Sequence, residues 1–171
     1  MEAIRSGTDN LQQEGMPFLS SVMRVEPRWI DYNGHLNMAY YNVLFDHAGD
    51  ELWTTVGMGS EYLATRRNST FTAECHVRYI REIQLDDPVQ VSILLLAADQ
   101  KRLHTFRELR HATDGWLSAT SENMTLHVNL DARKTTAFPQ DINTRVQALL
   151  RRHGSAIRPD GIGRKIGTPS R

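Results

Sequence analysis

The 171-residue chain has one cysteine, no excess of either charge and no long apolar run. Each scarcity removes a class of protein. With Cys75 alone no intrachain disulfide forms, and a cytoplasmic location is the expectation. Twenty Lys plus Arg balance twenty Asp plus Glu, so bulk charge gives no ground for nucleic-acid binding, which rests on cations neutralising phosphates. The longest stretch without a polar residue, Ile93 to Ala98, is far below the ~20 residues that span a bilayer, and no membrane helix is expected. Glu2 precedes any apolar stretch, unlike a secretory leader. The sequons at Asn68 and Asn123 are accordingly read as chance matches.

Several chemical signatures are also missing. There is no Gly-x-Ser-x-Gly elbow and no His-Glu-x-x-His, which removes the serine-hydrolase and zinc-protease routes. Gly161-Ile-Gly163 lacks a preceding strand, so it is no dinucleotide fingerprint. His104 and His111 lie seven apart on one expected strand, hence on opposite faces, and cannot share an ion. Neither a metal nor a cofactor is expected.

What is present fits one domain, since a chain of this length buries roughly 70% of its unfolded surface without staples. Residues 1–17 read as a flexible polar arm and residues 154–171, with four glycines, two prolines and four basic residues, as a solvated tail; the folded domain is expected over 18–153. Val22 to Ile30 reads as a strand interrupted by Pro27. Tyr41, Leu44, Phe45, Ala48, Leu52 and Val56 recur at spacings of three and four, predicting a helix from an Asn37 N-cap to a Gly57 C-cap. Gly49 inside it points to another backbone passing close by. Phe71, Ala73, Cys75, Val77 and Tyr79 then alternate with polar residues, with Cys75 read as a small core residue. Strands follow over Val89 to Ala98, Arg102 to Ala112 and Trp116 to Asn129, with Asp114-Gly115 as a hairpin turn. A last helix carries Ile142, Val146, Leu149 and Leu150 on one side. The order β-α-β-β-β-β-α predicts an α+β layer in which one curved antiparallel sheet wraps one long helix. One sheet edge is left unpaired for a symmetric second subunit, so a homodimer is expected.

The densest polar stretch is Asp31-Tyr-Asn33-Gly34-His35-Leu-Asn37, just ahead of the long helix. The free N–H groups at a helix start carry partial positive charge and stabilise a developing oxyanion. A carboxylate placed beside them serves as nucleophile or as base for water. From the residues alone a second reading stays open: a turn whose Asp, Asn and Gly serve loop geometry only.

Trp29-Ile-Asp31-Tyr-Asn-Gly34-His35-Leu-Asn37-Met-Ala-Tyr-Tyr41 resembles the motif that opens hot-dog-fold acyl-CoA thioesterases of the 4-hydroxybenzoyl-CoA thioesterase type. Glu74-Cys-His-Val-Arg-Tyr79, Asp99-Gln-Lys-Arg-Leu-His104 and Glu122-Asn-Met-Thr-Leu-His-Val128 are similar to the betainyl-CoA thioesterase branch. The likeness covers residues 20 to 140 and implies a hot-dog fold and hydrolysis of an acyl-CoA thioester to free CoA and a carboxylate. It implies that Asp31 is the catalytic carboxylate, that the Met38 N–H polarises the thioester carbonyl, and that His35, Asn33 and Asn37 orient substrate or water, with Tyr41 beside them. It places the site between two subunits, and leaves dimer against tetramer open. Glu74 and Glu122 keep two readings, carboxylates on a solvated strand face or one of them facing the acyl pocket; for the quaternary ammonium that the branch implies, a carboxylate with Tyr41, Trp53 or Tyr79 near it would suit. Lys101 and Arg102, with Arg78 and Arg81 in a neighbouring strand, are candidates to hold CoA phosphates. Two other functions remain open at this stage: a hot-dog enoyl-CoA hydratase and a non-catalytic acyl-CoA or acyl-carrier binder.

Overall fold

The computed structural model describes residues 14–167. Most of the expected N-terminal arm, and the last four residues of the expected tail, lie outside the described residues. Two short strands come first, β1 (Phe18–Leu19) and β2 (Met23–Arg24). The single strand expected over Val22 to Ile30 does not form. Pro27 instead opens a 3-10 turn over Pro27–Trp29, because its fixed φ suits a helical first turn and its missing N–H cannot join a ladder. Helix α1 (Met38–Thr55) follows, with Val56 as its last, half-helical residue and Gly57 beyond it at φ +87°, the left-handed position that ends helices.

A second helix, α2 (Ser60–Arg66), was not foreseen; it precedes the long strands β3 (Asn68–Tyr79), β4 (Pro88–Ala98), β5 (Arg102–His111) and β6 (Leu117–Asn129). A short β7 (Lys134–Thr135) and helix α3 (Gln140–His153) complete the fold. The antiparallel sheet runs β1-β4-β5-β6-β3, with β2 also on β4 and β7 on β6. Its inner face, Val89, Val91, Ile93, Leu95, Leu103, Leu109 and Ala119, packs on Leu44, Phe45, Ala48 and Leu52 of α1. Ile142, Val146 and Leu149 of α3 join the same core. This is the expected α+β arrangement of one long helix wrapped by a curved sheet.

Three local expectations fail for identifiable reasons. A β-bulge between Thr72 and Glu74 breaks the alternation of β3. Phe71 pairs with Leu126 and Cys75 with Asn123, positions of opposite parity, so Phe71 faces away from Cys75. Cys75 is exposed, since β3 is the sheet's edge. What approaches Gly49 is the Arg107 guanidinium rather than a backbone: a Cβ at Gly49 would stand 2.9 Å from Nη1. Arg107 is 3% exposed and donates through Nη1 to the Phe45 carbonyl at 2.6 Å.

The C-terminal segment doubles back over the outer face of the sheet. Gly163 N–H donates to Glu122 Oε2 at 2.7 Å, while Glu122 Oε1 is paired with His104 Nε2 at 2.7 Å. Gly161 sits against Arg78 and Phe106.

Two consequences are testable. Gly49→Ala should cost about 1–3 kcal/mol in urea unfolding despite alanine's better helix propensity, because the new Cβ displaces the guanidinium from its bond to the Phe45 carbonyl; a raised midpoint would show that Arg107 shifts into the adjoining space without loss. The second concerns acid. His153 Nδ1 accepts the Leu95 N–H at 2.9 Å, and burial, aided by Arg152, pushes its pKa down to about 4. Burial likewise lowers that of His127. The unfolded chain therefore takes up protons more readily below ~6.5, so stability present above that pH is lost as pH falls toward ~4, by roughly 2–4 kcal/mol for His153. Denaturant midpoints that stay level from pH 7 to 4.5, or that fall equally in His153→Gln, would refute this.

Candidate active site

The turn before α1 is built from its own backbone. Asp31 N–H donates to the His35 carbonyl at 3.1 Å and Gly34 N–H to the Asp31 carbonyl at 3.0 Å, with Gly34 at φ +85°; that left-handed geometry favours glycine. Asp31 Oδ1 accepts the Asn33 N–H at 2.8 Å, an aspartate turn that fixes the carboxylate's direction. Leu36 N–H donates to the Ile83 carbonyl at 2.8 Å and Asn37 N–H to the Trp29 carbonyl at 2.9 Å, tying the helix start to the strand end and to the preceding turn.

Asn37 caps α1 as expected, its Oδ1 accepting the Ala39 N–H at 3.0 Å, and its carbonyl takes the Tyr40 N–H at 3.0 Å. Met38, the first helical residue, offers an N–H that no helical carbonyl accepts. The cavity beside it, about 500 Å³, is walled by Asp31, His35, Asn37, Met38, Tyr41 and Tyr79, together with Arg81 and Glu82. Tyr41 is buried, and burial raises its pKa. Its ring meets Tyr79 edge-on at 5.0 Å between centroids. Tyr79 OH donates to the Met38 carbonyl at 3.2 Å, so strand and helix close the wall together. His35 Nδ1 stands 3.8 Å from Asp31 Oδ2, beyond a hydrogen bond. Among the described residues no group of three or more His, Cys, Asp or Glu is placed to hold a metal ion, and no helix is long and apolar enough to cross a membrane.

Asp31, His35, Asn37, Met38 and Tyr41 thus converge on one cavity. Others of the candidate set stand elsewhere. Asn33 contributes its backbone N–H to Asp31 and does not line the cavity. Glu74 and Glu122 line a different cavity, of about 510 Å³, with His104 and the returning C-terminal segment. Glu122 pairs with His76 and Phe106 across the sheet, whereas Tyr79 pairs with Ala119 on the opposite parity, so these carboxylates face the sheet's outer side. Trp53 is buried in the core and does not line the cavity. Lys101 and Arg102 sit at the β4–β5 turn, where Asp99 accepts from the N–H groups of both and from Arg102 Nε. Arg102 pairs with Leu126 and Tyr79 with Ala119, seven positions apart on β6, roughly 23 Å within one chain. The residue that sequence reasoning missed is Glu82; it lies past the end of β3, where alternation no longer indicates direction.

Known proteins fit this geometry. The thioesterase-like superfamily matches residues 25–146, and the chain belongs to that superfamily. Its fold is the hot-dog fold: the chain superposes with a TM-score of 0.83 and 28% identity on a Staphylococcus aureus protein solved in complex with CoA, over 92% of this chain and 98% of that one. A Synechocystis 1,4-dihydroxy-2-naphthoyl-CoA thioesterase superposes at 0.66 with 14% identity over 75% of this chain and 94% of its own, a likeness of fold alone. In sequence, the chain is 39% identical over 145 residues to a betainyl-CoA thioesterase of Pseudomonas aeruginosa, covering 85% of this chain and 91% of that protein. It is 33% identical over 144 residues to an L-carnitine dehydrogenase/betainyl-CoA thioesterase of Rhizobium meliloti, covering 84% of this chain but only 29% of that protein.

Proposed function

We propose that the protein hydrolyses acyl-CoA thioesters at the cavity beside the start of α1, without metal or cofactor. The observation that carries this is the convergence of Asp31 and the Met38 N–H on one cavity wall. The thioester carbonyl oxygen accepts from the Met38 N–H, where the helix's partial positive charge matches the charge that builds as the carbonyl becomes tetrahedral. Asp31 then acts in one of two ways that use the same carboxylate. As a base it takes a proton from water, whose oxygen adds to the carbonyl; as a nucleophile it adds directly, and water cleaves the resulting anhydride. Either way the C–S bond breaks, CoA leaves and takes up a proton as thiol, and the acyl group departs as a carboxylate.

The acyl group proposed is small and cationic. The relatives named betainyl-CoA thioesterases support it, and so does the wall itself, where the rings of Tyr41 and Tyr79 stand with the carboxylate of Glu82, while the Arg81 guanidinium on the same wall lies over the Trp116 ring at 4.1 Å. Aromatic faces with an acid nearby attract quaternary ammonium groups. A homodimer completes the site in this reading. β3 is a 12-residue edge strand with Phe71 exposed on one of its faces and Tyr79 on the other, an edge that a second copy would cover. Lys101 and Arg102 are proposed to meet the CoA phosphates. Glu74 and Glu122 are left out, because they face the other side of the sheet.

A thiol-release assay over a panel of acyl-CoA esters tests the reaction class, since a hydratase alters the acyl chain without freeing CoA and a binder does neither. Asp31→Asn should lower kcat by at least ~10²-fold with unfolding midpoints unchanged, because the carboxylate acts in the transition state and not in the core. Near-native turnover in that variant would remove the assignment. Lys101→Ala with Arg102→Ala should raise KM for CoA esters and leave kcat in place, more so at low salt; an unchanged KM returns that turn to ordinary solvated charge.

A further inference from the structure

The mechanism leaves one buried charge unused. Arg107 extends from the inner face of β5 beneath α1, only 3% exposed. Burial brings its pKa down to about 10 against the pull of Asp46 and Asp50, so it stays cationic at neutral pH. Among the described residues its hydrogen-bond partners are the Phe45 carbonyl and, at 3.4 Å, Thr105 Oγ1, and it forms no ion pair there. A guanidinium has five donors in a fixed fork. Arg107 lines an open cavity of about 340 Å³ with Asn42, Val43, Phe45, Asp46 and Asn123, and with Thr72 and Cys75 of the edge strand β3. A charge this deep costs several kcal/mol to desolvate unless an anion meets it.

Asp46 stands in the wall of that cavity without closing on Arg107. It lies two turns beyond Met38 on the same stripe of α1, with Asn42 between them, roughly 12 Å along the helix axis. A cavity with a buried guanidinium at one side and a separate carboxylate at another complements a molecule carrying both signs.

We propose that this cavity binds a small zwitterionic carboxylate, its carboxylate on the Arg107 fork and its cationic end toward Asp46. The acid freed from a trimethylammonio-acyl thioester has that chemistry and would be released one or two helical turns away. The choice of probe rests on the proposed acyl group; the site itself rests on Arg107, Asp46 and the space between them.

The test is calorimetric titration of the full chain, without any CoA ester, using glycine betaine, acetate and tetramethylammonium. Glycine betaine should bind saturably, one per chain, at least about tenfold more tightly than acetate or tetramethylammonium, since each of those satisfies only one of the two charges. Asp46→Asn, an exposed change on α1 that does not threaten folding, should weaken glycine betaine about tenfold and leave acetate where it was. Arg107→Gln should lose both, and if that variant fails to fold, Asp46→Asn decides alone. Asp31→Asn should bind glycine betaine as the unaltered chain does while losing hydrolysis, which separates the proposal's failure from that of the thioesterase reading; Glu82→Gln, which removes the acid of the catalytic cavity, should also bind it unchanged, and loss of binding there overturns the proposal by placing the ligand beside the tyrosine rings. The proposal is overturned if no probe binds, if acetate matches glycine betaine, or if Asp31→Asn abolishes binding. A drop in oligomeric mass on Arg107→Gln, with no ligand bound by the unaltered chain, also overturns it, because the guanidinium would then be paired by a second copy.

Discussion

An α-helix begins with N–H groups that its own carbonyls cannot satisfy, and here the residues in front of α1 decide which of them stays available. Asn37 consumes two, one through its side chain and one through its carbonyl. Met38's remains, and its direction is set by bonds that come from far along the chain: Ile83 holds Leu36, Trp29 holds Asn37, and Tyr79 reaches the Met38 carbonyl. Asp31 sits on the same closed turn, so one set of backbone hydrogen bonds holds both the carboxylate and the free N–H. A turn clamped by a strand end and a helix cap holds the pair in place, which the proposed reaction requires, since displacements of about 1 Å between reacting groups cost on the order of 10²-fold in rate.

That unit was legible because its causes are local. The Asp-x-x-Gly-His sequence gives a turn, Asn37 gives the cap, and the stripe of Leu44, Phe45, Ala48 and Leu52 gives the helix whose start matters. The strands were legible for the same reason, alternation and turn chemistry being short-range. What sequence could not give were consequences of partners. The bulge in β3 exists only against β6, and it alone turns Phe71 to the outer face. Glu122 faces outward through register, and nothing in its neighbours Ser121 and Asn123 announces this. Gly49 did signal a close approach, but whether backbone or guanidinium filled the space depended on β5 lying underneath. Glu82 enters the cavity because the chain turns back after β3, a tertiary fact.

The two faces of the sheet have therefore taken separate tasks. The inner face carries the apolar core and, at its β3 end, the cavity with Asp31. On the outer face His104 pairs with Glu122, and Glu122 in turn accepts from the Gly163 N–H of the returning C-terminal segment. A glutamate held by an imidazole and a backbone amide is satisfied where it stands, and has little reason to reach for a substrate. This is the physical ground for moving the acid of the proposed cation site from Glu122 to Glu82, which shares its cavity with two tyrosine rings and has no such partners among the described residues.

The same reasoning about satisfied and unsatisfied charge separates Arg107 from the rest of the core. Packing does not require a guanidinium under α1; a buried ion can be exchanged for an apolar side chain of similar volume with neutral or favourable effect. Keeping it imposes a glycine in the middle of the helix, at ~1 kcal/mol relative to alanine, and fixes Gly49 as the one residue whose missing Cβ leaves room for Nη1. The fold thus accepts two unfavourable choices, a buried charge and a helix glycine, at one contact. Local rules broken together at one contact mark positions held for something other than folding, and the open cavity in front of Arg107 is where the proposed ligand has room to bind.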